Sequence, residues 1–249
     1  MRVDLGSLQF NMPTPDDNGT TWLVIKDGID GWNGPGQRQT SQPATSKHGA
    51  QLLESMLDTR PLVLKGIVKA TTEETFWFAY NDFLGATNNL FTPIDLVVYE
   101  HYPKKIGVIR GGTPRIPLDG IGSFTFELPL LALDPLKRLL EQQNIPVAAG
   151  DTVPLVNQGN FETWPVVTVL TPGSIRLTNT VSGQVTRTRT NVAVGDVLDF
   201  KNKRLSHGTN NLYGSLDPTS MWWAIQPGTN PIVNAGTAGV RIDFYDTFL

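Results

Sequence analysis

The sequence predicts a mostly β protein with a single amphipathic helix, divided into two domains. Turn residues are dense and evenly spread, with 24 Gly and 18 Pro in 249 residues. They punctuate short alternating segments rather than long helical ones. Helical periodicity is strong only at residues 71–85. A stretch with few apolar anchors, about 142–156, separates a mixed first half from a second half made of strands and turns. The expected domains are therefore 1–145 and 146–249.

The elements follow in order. Residues 3–10 read as a short strand, and 22–32 as strand, turn, strand. Residues 33–49 are polar, rich in Gly and Pro, and have no apolar period, so an extended or mobile loop is expected there. Residues 60–70 alternate around apolar positions and read as a strand. The period then changes. Phe76, Ala79, Tyr80, Phe83 and Leu84 fall at i, i+3, i+4, i+7 and i+8, one face of a helix. Thr71 with Glu74 makes a capping-box pattern, Glu73 and Glu74 suit the helix dipole, and Gly85 is the expected stop. Strands follow at 96–100, 105–110 and 122–130, and Asp134-Pro135 is expected to start a short helix over 136–142. Beyond the boundary, strands are expected at 164–170, 175–179, 184–189, 196–200, 221–225 and 239–244. This spacing suggests a β-sandwich.

Composition excludes several functions. Twenty Lys and Arg against 23 Asp and Glu give a net charge of −3, without the concentrated basic surface that nucleic-acid binding needs. No apolar run approaches the roughly 18 residues of a membrane span. The N-terminus lacks the apolar stretch of a signal peptide, so synthesis in a reducing cytoplasm is expected. There is no Cys, hence no thiolate metal site or Cys nucleophile. His48, His101 and His207 sit in unrelated segments and form no ligand spacing. Asp16-Asp17 reads as a turn and Glu73-Glu74 as helix capping. No nucleophile elbow, Walker loop or dinucleotide fingerprint occurs. The expectation is a non-enzyme with no cofactor and no metal.

Three features are candidates for interaction. Trp32, Asn33, Arg38 and His48 belong to the polar segment and its entrance. Arg187 and Arg189 lie two apart on one strand face, with Arg176 on the expected partner strand. They form either a basic strip for an acidic partner or a solvated face that resists edge pairing. Trp222 and Trp223 fall on opposite faces of one expected strand. One would be core, the other an interface anchor or a sugar platform.

Several patterns occur in the order found in a known family. They are Gly31-Trp32-Asn33-Gly34-Pro35; a strand from Phe124 running into Asp134-Pro135; Asn157-Gln158-Gly159-Asn160 leading to Trp164-Pro165; Asn179-Thr180-Val181-Ser182-Gly183; and Pro227-Gly228-Thr229-Asn230 before a last alternating strand. Together they resemble the siphophage distal tail proteins, the Dit-like minor tail proteins. The resemblance implies an N-terminal β-barrel or sandwich-like domain with one helix and a C-terminal galectin-like β-sandwich. It implies a structural virion protein at the tail tip, a homohexameric ring joining the tail tube to the tip hub proteins. The alternative is a carbohydrate-binding module for host-surface glycan, with Trp222 or Trp223 and Asn230 in a shallow site.

Overall fold

The computed structural model describes residues 1–43, 50–88, 92–118, 120 and 122–249, with the backbone alone at 39–43 and 50–55. The chain is mostly β and divides into two compact units, Met1–Lys137 and Arg138–Phe248.

The first unit contains β1 (Arg2–Leu5), β2 (Leu8–Phe10), β3 (Thr21–Asp30), β4 (Gln37–Pro43), β5 (Ala50–Leu57), β6 (Arg60–Lys69), α1 (Glu73–Asn88), β7 (Ile94–Tyr99), β8 (Lys104–Arg110) and β9 (Ser123–Ala132). Seven strands hydrogen-bond in the order β2-β1-β7-β8-β9-β6-β3. The two ends of this path meet at Asn11. Its N–H donates to the Trp22 carbonyl at 2.8 Å, and its side-chain oxygen accepts from Val24 N–H at 3.0 Å. One side chain thus covers part of an otherwise bare edge.

Inward residues of β6 and β9 alternate strictly, with Leu62, Leu64, Val68, Phe124, Phe126, Leu128 and Leu130 all buried. Helix α1 lays Phe76, Ala79 and Phe83 onto this surface. Phe83 stands 4.8 Å from Phe126 and 6.3 Å from Trp22 between ring centres. Such offset aromatic contacts add to simple area burial. The reciprocal cap is made by Thr72 and Thr75 rather than by Thr71 and Glu74. Thr72 Oγ1 accepts from Thr75 N–H at 3.2 Å, and Thr75 Oγ1 accepts from Thr72 N–H at 3.1 Å. The helix continues past Gly85 to Asn88, held there by Thr87, whose buried hydroxyl donates to the Phe83 carbonyl at 2.7 Å.

The second unit contains β11 (Gln143–Val147), β12 (Thr152–Asn157), β13 (Val166–Val169), β14 (Arg176–Asn179), β15 (Val185–Arg187), β16 (Val197–Asp199), β17 (Arg204–His207), β18 (Asn210–Asn211), β19 (Gly228–Asn234), β20 (Val240–Phe244) and β21 (Thr247–Phe248), after β10 (Lys137–Leu139) at the division. One sheet runs β11-β20-β13-β16-β17-β18 and the other β12-β19-β14-β15. Their inner faces share one core, with Leu155, Val167, Leu177, Leu198, Phe200, Trp223, Ile232 and Ile242 fully buried. This is a β-sandwich.

Four expectations are corrected. Within residues 33–49, β4 is a strand paired with β5 from Gln37↔Leu57 to Pro43↔Ala50, not a loop. Residues 136–142 form no helix, because the Lys137 side chain is drawn into the core toward the Trp32 carbonyl. The anchor-poor stretch is two strands, since β11 pairs with β20 from Gln143↔Phe244 to Val147↔Val240, and β12 pairs with β19. Residues 221–225 form no ladder strand; Ile225 alone bridges to Thr163.

Candidate assembly and docking surfaces

Trp32 is not on the surface. It follows Gly31, where the chain leaves β3 with a positive φ of 81°. Its side chain is 6 % exposed. The indole N–H donates to Glu100 Oε1 at 2.6 Å, and Lys104 donates to the other Glu100 oxygen at 2.8 Å. The Trp32 carbonyl accepts from Arg60 Nη1 at 3.1 Å and from Lys137 Nζ at 3.0 Å. Lys137 also sits 5.1 Å above the indole ring, a cation–π contact. Trp32 therefore ties the end of β3 to Glu100, Arg60 and Lys137, and its neighbours' charges explain the local electrostatics. Burial tends to raise the Glu100 carboxyl, but hydrogen bonds from Lys104 and Trp32 outweigh it and hold the group below its usual value. Burial lowers the Arg60 guanidinium, which is fully enclosed with Nε and Nη2 lacking partners. Burial, then Arg60 and Lys104, push Lys137 down to about 8.

Lys137 makes stability depend on pH. Its folded pKa lies below the unfolded value near 10.5, so the unfolded chain holds the proton more tightly. Stability therefore rises with pH once the folded state begins to release the proton. The first unit should gain about 2 kcal/mol between pH 7.5 and 9.5. Lys137→Met, which keeps the packing without the charge, should flatten this slope in thermal melts followed across that range.

The other candidates separate. Asn33 is exposed. Arg38 lies exposed on β4, with its guanidinium 3.9 Å from Met56 Sδ. His48 lies outside the described residues. Trp222 and Trp223 share a partner rather than facing opposite ways. Trp223 is fully buried with its ring centre 4.6 Å from that of Phe200, and the half-buried Trp222 meets the same ring edge-on at 5.1 Å. Asn230 is fully buried, donating to the Gln226 and Gly228 carbonyls at 2.7 and 3.1 Å. A shallow sugar site built from Trp223 and Asn230 has no surface to stand on.

Arg187 and Arg189 are set differently. Arg187 ends β15 directly opposite Arg176 of β14. Its Nε lies 3.5 Å from Asp217 Oδ1, and Nη2 bonds Thr219 Oγ1. Arg189 is past the strand and exposed, with its backbone N–H on the Ser215 carbonyl at 2.8 Å.

Sequence reasoning missed Trp77 and Phe78. Both lie on α1, on the side away from Phe76, Ala79 and Phe83, and are 46 % and 58 % exposed. Their signal was available: two large aromatics sit off the buried stripe of an amphipathic helix, and although Trp77 leans edge-on against Phe76 at 5.1 Å, about half of each side chain stays in solvent. Among the described residues, no three His, Cys, Asp or Glu side chains gather as a metal site, and no helix is long and apolar enough to cross a membrane.

Comparison with known proteins agrees with this architecture. Residues 158–248 match the family described as siphovirus-type tail component, C-terminal domain. No curated protein matches the sequence. Among solved structures, the Dit protein of phage SPP1 has the same fold over 100% of this chain and 99% of its own, at 15% identity and a TM-score of 0.74. A chain of the phage P2 baseplate, in its activated conformation with Ca, is similar over 97% of both chains at 10% identity and a TM-score of 0.50. The second unit thus matches the siphovirus-type tail component family over residues 158–248, and the chain along its whole length has the fold of SPP1 Dit.

Proposed function

We propose that this chain is the ring-forming adaptor at the tip of a siphovirus tail, joining the tail tube on one face to the tip hub proteins on the other. One observation carries the reading. The fold of a protein described as a paradigm of hub adsorption apparatus in phages of Gram-positive hosts runs along essentially all of this chain. The role is geometric and needs no catalysis. Six identical subunits make head-to-tail contacts that close on themselves. Residues 1–145 form the ring, and 146–249 are its galectin-like part. A net charge of only −3 suits a chain that packs against its own copies.

Trp77 and Phe78 supply the apolar anchor that such a contact needs. Negative-stain electron microscopy of the purified protein, with its mass in solution, tests the proposal. Closed six-fold rings are expected, and a monodisperse monomer at high concentration would count against it. Phe78→Ala should dissolve the rings with little change in the melting midpoint, whereas Trp77→Ala should also lower the midpoint, because Trp77 packs edge-on against Phe76 at 5.1 Å and Tyr80 at 5.9 Å.

A further inference from the structure

We infer that the second unit carries a phosphate-binding site, built on the Arg176–Arg187 pair and separate from the proposed ring contact. The two arginines are register partners on neighbouring antiparallel strands. Their side chains therefore rise from the same face of the sheet, with Cβ atoms about 5 Å apart. Like charges placed directly opposite destabilise a strand pair. A cost of this kind, in a sheet whose other choices agree with its fold, marks a functional position.

The surroundings are shaped for an oxyanion. The two guanidinium groups line a shallow pocket with Gly183, Val185, Thr219 and Met221. Gly183 has a positive φ of 69° and nothing within 4 Å of the position a Cβ would take, so this side of the pocket stays open. Arg187 is oriented from behind. Asp217 Oδ1 lies 3.5 Å from its Nε and also accepts from the Thr219 N–H and hydroxyl at 2.9 and 2.6 Å, and Thr219 bonds Arg187 Nη2. These bonds leave Arg187 Nη1 for a ligand. Arg176 is exposed and its side chain makes none of the described hydrogen bonds or ion pairs, so its fork faces solvent. Arg189 adds a third positive charge close enough to hold the Asp217 carboxyl down together with Arg187, after the hydrogen bonds from Thr219.

Oxygen count selects the ligand. One guanidinium fork satisfies both oxygens of a carboxylate. Two converging guanidinium groups can share the oxygens of a tetrahedral phosphate. The pocket is open to solvent, so it admits a phosphate group whether free or carried on a longer chain, and Arg189 adds positive charge nearby.

The test uses the full-length protein and inorganic polyphosphate, followed by isothermal titration at low salt and near 0.15 M salt. Polyphosphate should bind saturably and be displaced by free phosphate. Arg176→Gln and Arg187→Gln should each weaken binding at least tenfold. Arg176→Gln should leave the melting midpoint unchanged or raise it, since it relieves the repulsion. Lys26→Gln, which removes an exposed charge on β3 in the first unit, should bind like the parent. Three results would each overturn the site: no saturable binding, equal weakening by Lys26→Gln, or poly-glutamate binding as tightly as polyphosphate. Ring formation does not enter the readout, so the adaptor role and the phosphate site can fail separately.

Discussion

Trp223→Ala should unfold the second unit and spare the first. Trp223 is the largest fully buried side chain among the described residues, packed on Phe200 at 4.6 Å in a core shared by both sheets. Truncating a buried tryptophan costs about 3–5 kcal/mol, through lost transfer energy and the cavity left behind. That is a large share of a domain's total stability. Calorimetry should show one transition displaced far downward and the other in place, because the two cores are separate clusters. The Trp223 indole N–H is buried without a hydrogen-bond partner, so Trp223→Phe should cost much less: it loses volume but also removes an unsatisfied donor. Trp222→Ala should be milder again, since Trp222 is only half-buried. If Trp223→Ala left the melt unchanged, the placement of Trp223 would be wrong.

Gly31→Ala should destabilise the first unit by about 3 kcal/mol, while Gly34→Ala three residues later should be neutral. Gly31 turns the chain with φ at 81°, and a Cβ there would lie 2.2 Å from the Pro61 carbonyl oxygen. The Pro61 backbone cannot yield, because β6 is paired with β9 along its whole length. Strain from the left-handed conformation adds to the clash. Gly34 has an ordinary φ and nothing within 4 Å of its Cβ position, so alanine there chiefly restricts the unfolded chain. Comparing the two melting midpoints isolates the geometry, since the chemical change is the same. Equal shifts would contradict the described approach of Gly31 to Pro61.

What could be read from the sequence was whatever left a local signature. The strict alternation of β6 and β9 and the stripe of α1 each bury one face, so their periods mark them. The asparagine motifs were equally visible, and the structure supplies their reason. Asn157, Asn179, Asn230 and Asn234 are all buried in the second unit and hold turns through their side chains. Asn157, for example, accepts from Gly159 N–H at 2.9 Å and donates to the Phe161 carbonyl at 2.8 Å. An asparagine that must satisfy donor and acceptor together tolerates few replacements, which makes such motifs recognisable. The hairpin strand β4, rich in Gln, Ser and Thr, carries no apolar period, so nothing local announced it. The burial of Trp32 and Lys137 depends on a contact between residues more than a hundred positions apart in sequence, which no window can show. Trp222-Trp223 looked like a strand because alternation was assumed there. Its side chains instead follow Phe200.

The placement of β20 sets an order of events during synthesis. Val240–Phe244 lies in the middle of its sheet, between β11 and β13. Strand β11 opens the second unit, yet its partner is translated almost a whole unit later. On the ribosome, β11 and β13 must wait with open edges until Phe244 emerges, while the seven-strand path of the first unit is present once β9 has appeared. Long closures of this kind slow folding and leave sheet edges available for wrong pairing. A chain interrupted before Val240 therefore keeps the seven-strand path of the first unit attached to a second unit that cannot close.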